Sequence, residues 1–355
     1  MKKTLFVAPI LVLTLIFGGL LTGCAGGGGG AGSGGEHMEL TIFTPWPEVE
    51  FPYYFRRFEE ETGITLNFVR ISTGEAMARL QVEGDNATAT LMWGGPNDTH
   101  VAMQRAGLLY PYQSPELENV PELFHDPEGY WNPIAVGSLV FASNSEWFGE
   151  QNIPYPQSWQ DLLRPELRGQ ITMAHPSTSG TAYNMLATII KIFDYDEEAA
   201  FDYMRRFDEN IRHYTRVGAA PAREAAIGEA AVGLVFSQDA LSLQAEGFPI
   251  NVSFPSEGTG YTIEAASIIR GGFPEEFDNA RKFIDWSMSV RAQELFINTG
   301  SMRMPVNTNA AVTEGLIPLD QIELVVYDAV WAGENRTRLV EEFMSRIDDA
   351  EDLAE

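Results

Sequence analysis

Strand and helix signals that alternate from residue 40 onward predict an α/β fold. Two further observations extend that reading. About three hundred residues follow a glycine tract, a length that suits two domains better than one. Hydrophobic residues make up 45% of the chain and aromatic residues 11%, enough to fill a sizeable core in each.

The first part of the chain supplies the grammar. Residues 40–43 form a short apolar run that suits a buried strand. Tyr54, Phe55 and Phe58 share one helical stripe, which Gly63 stops. Residues 64–69 read as the next strand, 75–82 as the next helix, and 89–93 as a third strand that ends in Gly94-Gly95-Pro96-Asn97. This repeat implies a largely parallel sheet. The middle changes character, with a β-rich run at 138–143 and a proline-rich stretch at 153–165. Residues 169–181 are a strand running into a polar turn, with a helix predicted over 182–192. Residues 231–236 and 261–269 read as later strands, and 277–288 and 322–347 as later helices.

The N-terminus reads as an address. Lys2 and Lys3 precede an apolar stretch over 5–21, and Leu21-Thr22-Gly23-Cys24 closes it with small residues. That order marks an export signal. The apolar length also borders on what a spanning helix needs, but a lone cysteine at the cut position favours export. Leu21-Thr22-Gly23-Cys24 resembles the bacterial lipobox, which implies a lipid on Cys24. Residues 26–35, glycine except for Ala31 and Ser33, read as a flexible tether. The expected layout is therefore a signal over 1–23 and a tether over 24–37. The expected location is the cell envelope, lipid-anchored on the periplasmic or extracellular face of a membrane.

Charge and cysteine use exclude several partners. The formal net charge of −27 disfavours nucleic acid and anionic headgroups. It permits a small anionic ligand, because helix ends and backbone amides set the field of a pocket locally. With Cys24 the one cysteine, internal disulfides and thiolate metal sites are out of reach. Neither a cofactor nor a metal is expected.

Two loops share one design. Ser72-Thr73-Gly74 and Ser177-Thr178-Ser179-Gly180-Thr181 each lie between a predicted strand and a predicted helix. Hydroxyls offer donors, glycine lets a ligand approach the backbone, and the unpaired first-turn amides carry the positive end of the helix dipole. Such a loop is an anion cradle without net positive charge. Ordinary N-capping also favours serine and threonine, so the argument rests on the repetition.

At this point the chain resembles a known family. Pro156-Gln157-Ser158-Trp159, Asp161-Leu162, Pro165, Gly169, Ile171, Met173, Pro176 and Ser179-Gly180-Thr181 follow the pattern of type 2 periplasmic solute-binding proteins. The nearest branch serves ABC importers of ferric iron, 2-aminoethylphosphonate and sugar phosphates. The resemblance implies two α/β lobes with ligand held in the cleft between them: 38–137 plus 267–347, and 138–266, followed by an acidic tail over 348–355. The strand crossings between lobes fall near 138–141 and 262–267. It implies a site of Ser72, Thr73, Gly74, Trp93 and Asn97 in the first lobe. In the second it implies Ser177, Thr178, Ser179, Gly180, Thr181, Arg216 and Ser237. Glu264, a carboxylate inside an apolar strand, requires a partner if buried and joins the set. The expected function is capture of a small anionic phosphonate or sugar phosphate by hinge closure, for an ABC permease in the membrane, by a monomer.

Ferric iron is the rival solute. Iron-binding members place adjacent tyrosines where this chain has Phe236-Ser237-Gln238-Asp239, and the pair Tyr53-Tyr54 lies on a phenylalanine-rich helix. Arg70 and Arg216 are both candidates to grip a phosphoryl oxygen. A secreted hydrolase is the other class to weigh. Ser177-Thr178-Ser179-Gly180 is not a Gly-x-Ser-x-Gly elbow, and no spacing nominates a histidine and an acid to activate a serine. A binding protein, not an enzyme, is expected.

Overall fold

The structure is a computed structural model, and it describes residues 37–325 and 328–348. The predicted signal, Cys24, the tether through residue 36 and the tail from residue 349 lie outside the described residues.

Strand β1 (Glu39–Thr44) is followed by helix α1 (Phe51–Thr62), whose buried residues Phe51, Tyr54, Phe55 and Phe58 repeat at helical spacing. Gly63, at φ 73°, ends it, a conformation that favours glycine. Strand β2 (Thr65–Arg70), helix α2 (Thr73–Glu83), strand β3 (Leu91–Pro96) and helix α3 (Asn97–Arg105) complete the opening repeat. A short β4 (Leu109–Tyr110) precedes β5 (Asn132–Asn144), which is buried along its whole length. Next come α4 (Ser145–Gln151), β6 (Ile171–Ala174), α5 (Gly180–Ile192), α6 (Glu197–Asp208) and β7 (Ile211–Thr215). The chain continues through α7 (Ala220–Ala226), β8 (Val232–Phe236), α8 (Ser237–Ala245), β9 (Ile250–Ser253) and β10 (Thr259–Ile269). Helices α9 (Phe277–Met288), α10 (Val290–Gln293) and α11 (Leu295–Thr299) precede strands β11 (Met304–Pro305) and β12 (Leu324–Val325). Helix α12 (Ala329–Arg346) follows.

The sheet is mixed, which corrects the largely parallel expectation. Parallel pairing does hold within each half: β1 lies between β2 and β3, and β6 between β7 and β8. The centre is antiparallel because β5 and β10 run against each other, with Tyr261 opposite Ser138 and Ile263 opposite Val136. Strand β5 then changes partner, pairing Leu139 with Phe236 of β8. Strand β10 likewise pairs Ala266 with Trp93 of β3. Two strands shared by both halves need no crossover helix between them, so their pairing is free to be antiparallel.

The C-terminal helix starts later than its apolar pattern predicts. Leu324 and Val325 pair with Thr259 and Gly260, and the Asp328 carboxylate accepts from the amides of Val330 and Trp331. The cap, not the pattern, sets the start. On α12, Ala332, Leu339 and Phe343 pack into the core formed by α5 and α6, while Gly333 abuts Val101 and Asp98 of α3.

Candidate functional site

Helix starts define the rim of one cleft. Arg70, Ser72 and Thr73 approach it at the start of α2, and Ser179, Gly180 and Thr181 at the start of α5. The two starts differ in capping. Ser179 Oγ accepts from the Ala182 amide at 3.4 Å, a true N-cap. Ser72 Oγ instead donates to Glu75 at 2.7 Å. The backbone amides of Thr73, Gly180 and Thr181 have no acceptor among the described residues. Each is one of the donors that the first turn of a helix leaves orphaned. Arg70 gives Nε to the Trp46 carbonyl at 3.1 Å and has no acidic partner among the described residues. Three amides without acceptors and the Arg70 guanidinium thus border a common space, an arrangement whose chemistry suits an anion.

Glycines let the parts approach. Gly94 and Gly95 of β3 sit at φ 99° and 91°, where a Cβ would strike Trp46 and Thr73 at 2.5 and 2.2 Å. The rims also touch: the Gly74 amide donates to the Thr178 carbonyl at 2.9 Å, and Arg216 pairs with Glu75. Burial works against ionised Glu75, but the bonds from Arg216 and Ser72 outweigh it and hold the carboxyl below its usual range.

The floor is a buried ionic network. Arg303, 3% exposed, donates Nε to Glu50 at 3.0 Å and Nη1 to Glu264. Its guanidinium lies over the Trp46 ring at 3.9 Å. Glu264 also accepts from Trp46 Nε1 and from Gln238 Nε2, the latter at 2.8 Å. Burial raises the Glu264 carboxyl against the pull of Arg303. Asp239 completes the acidic side at the start of α8.

Of the residues expected from the sequence, Ser72, Thr73, Ser179, Gly180, Thr181 and Glu264 line the cleft. The others serve around it. Gly74 and Thr178 hold the rims together, and Ser177 Oγ meets His175 Nδ1 at 2.6 Å. Arg216 is engaged by Glu75 at the rim, so Arg70 is the guanidinium that faces the cleft. Trp93 is buried behind Trp46, ring centres 4.2 Å apart, and Trp46 takes the lining position expected of it. Asn97 is buried at the start of α3, and the Ser237 hydroxyl accepts from the Ser138 amide at 3.4 Å.

The sequence reading missed Trp46, Glu50, Asp239 and Arg303. Glu264 announced that a partner was needed if it was buried, but not what that partner was or where in the chain it lay. Histidines stay structural: His100 donates or accepts between Ser267 and Gly94, and burial lowers it to about 4, against the bond to Gly94. Among the described residues no cluster of three or more His, Cys, Asp or Glu could hold a metal ion.

Comparisons with known proteins place the chain in a family. A profile described as bacterial extracellular solute-binding protein matches residues 97–330. An uncharacterised protein of Haemophilus influenzae is 30% identical over 324 residues, covering 89% of this chain and 92% of that protein. The periplasmic binding protein AfuA from Actinobacillus pleuropneumoniae, solved with fructose-6-phosphate bound, is 32% identical with a TM-score of 0.84. The match covers 88% of this chain and 99% of AfuA. The periplasmic binding protein P5PA is 26% identical with a TM-score of 0.82, the match covering 87% and 99% of the two chains.

Proposed function

This chain belongs to the bacterial extracellular solute-binding protein family, and from that premise we propose that it captures a phosphate or phosphonate ester bearing hydroxyl groups. It is the substrate-binding component of an ABC importer, a two-lobed α/β binding protein and not an enzyme. The observation that carries the ligand class is the convergence of the Thr73, Gly180 and Thr181 amides with the Arg70 guanidinium. These donors suit a phosphoryl group. Glu264, Gln238 and Asp239 face the same space and suit hydroxyls on the rest of the solute. The fructose-6-phosphate of AfuA has both features.

Capture proceeds by closure. With the solute absent the rims part, breaking the Gly74–Thr178 bond and the Arg216–Glu75 pair, and strands β5 and β10 carry the bend. With a phosphoryl group on the free amides, both helix starts gain a common partner and the closed form is favoured. The lobes are taken as 38–137 plus 267–347 and 138–266, with α12 packed on both. Cys24 carries the lipid, and the glycine tether lets the body reach its permease.

Thermal unfolding with a panel of esters tests the solute. A ligand at a hundred times its Kd stabilises by about 2.7 kcal/mol, so fructose-6-phosphate or an organophosphonate at millimolar concentration raises Tm by several degrees. The reading fails if none does while ferric iron adds both colour and stability. For the anchor, Cys24→Ser moves the protein from the membrane fraction to the soluble fraction; unchanged fractionation refutes lipidation.

A further inference from the structure

Three carboxylates meet at the floor of the cleft, and the buried guanidinium there is committed to two of them. Arg303 binds Glu50 and Glu264; Glu264 also accepts from Trp46 and Gln238, and Glu50 from Ser301 Oγ at 3.0 Å. Asp239 lines the same cleft from the first turn of α8 and has neither a hydrogen bond nor an ion pair among the described residues. Glu50 and Glu264, by contrast, share Arg303 and accept further hydrogen bonds.

We propose that Asp239 is the protonatable solute contact of this cleft, a carboxyl that when protonated donates a hydrogen bond to a solute oxygen and when ionised turns anionic solutes away. This deepens the solute-binding reading above and rests on it. The charged groups that face Asp239 are Arg303, Glu50, Glu264 and Arg70. Burial acts first, Arg303 pulls the other way, Glu50 and Glu264 push with burial, and Arg70 opposes; the result is a carboxyl raised to about 7. An anion seated on Arg70 cancels part of its pull, so solute binding draws a proton onto Asp239. By linkage, affinity for the anion then falls as pH rises past the carboxyl's own titration.

The test begins without ligand. The pKa in the fold lies above the usual unfolded value near 3.9, so the bound proton stabilises the fold at low pH and that stabilisation is lost as pH rises toward 7. Wild type therefore loses ground to Asp239→Asn by up to about tenfold in unfolding constant per pH unit between pH 5 and 6.5. The difference levels off above pH 8. An offset that does not change with pH overturns the proposal. Should Asp239→Asn fail to fold, carboxyl carbon NMR of the wild type decides, since no aspartate titrating above pH 6 is equally fatal.

Binding of fructose-6-phosphate forms the second arm. The wild-type Kd, divided by that of Asp239→Asn, climbs toward tenfold per pH unit above pH 7, and a constant ratio overturns the contact with solute. If no phosphate or phosphonate ester binds either protein while the stability difference persists, the ligand reading fails and the proton on Asp239 stands.

Discussion

The rim and the floor of the cleft are built by different means. The rim is two short contiguous loops, Ser72-Thr73-Gly74 and 177–181, and their chemistry is the chemistry of helix starts. The floor gathers Trp46, Glu50, Asp239, Glu264 and Arg303 from four separate segments, Trp46 and Glu50 sharing the connection between β1 and α1. The Arg216–Glu75 pair at the rim is open to solvent, Arg216 being 79% exposed at its side chain, while Thr73, Gly74, Ser179 and Gly180 are buried. Floor contacts are dry, with Arg303 and Glu264 both under 5% exposed. A solvated rim can open and shut cheaply, because water replaces what it loses. An ionic floor has no such substitute, so breaking it costs far more.

Breaking the floor produces the largest effect. Arg303→Met leaves Glu50 and Glu264 buried without their cation and costs about 3–5 kcal/mol in denaturant unfolding. A loss under about 1 kcal/mol would mean that the floor is no more critical than the rim. The next largest effect belongs to the rim, on binding and not on stability. In Gly74→Val the new Cβ lies 2.3 Å from the Ser177 carbonyl, a contact that backbone cannot relieve while the rims touch. The ester-induced rise in Tm disappears, small-angle scattering shows a larger radius, and the unliganded Tm moves little. Closure at wild-type dimensions would contradict the rim's assigned part. Smallest is Glu75→Gln, which removes an exposed pair: affinity weakens only a few-fold, and its salt dependence flattens.

The difference also decides what the sequence reveals. The helix-start loops are legible because capping residues and glycine act on their own neighbours; Ser179 caps α5 as its position promises. The N-terminal repeat is legible because apolar spacing encodes which face is buried, as in Tyr54, Phe55 and Phe58, to which the structure adds Phe51. The family resemblance implied a place for Trp93 at the ligand, yet its neighbour in space, Trp46, covers it. Arg216 and Arg70 look alike along the chain; the proximity of Glu75 separates them. The antiparallel centre stayed hidden because strand direction belongs to pairs of strands and not to either strand's pattern.

The chain's own residue pattern thus announced which helix and strand faces are apolar, that α2 and α5 open on loops rich in serine, threonine and glycine, and that Glu264 needs a partner if buried. All of these are local: capping, periodicity and the cost of burying a charge act within a few residues. It took the folded chain to show that the two loops face each other, that Arg303 is the partner of Glu264, and that Asp239 has none among the described residues. Those are matters of which distant segments meet, and chain folding sets them through packing of the whole core, with no trace in the spacing of the residues themselves.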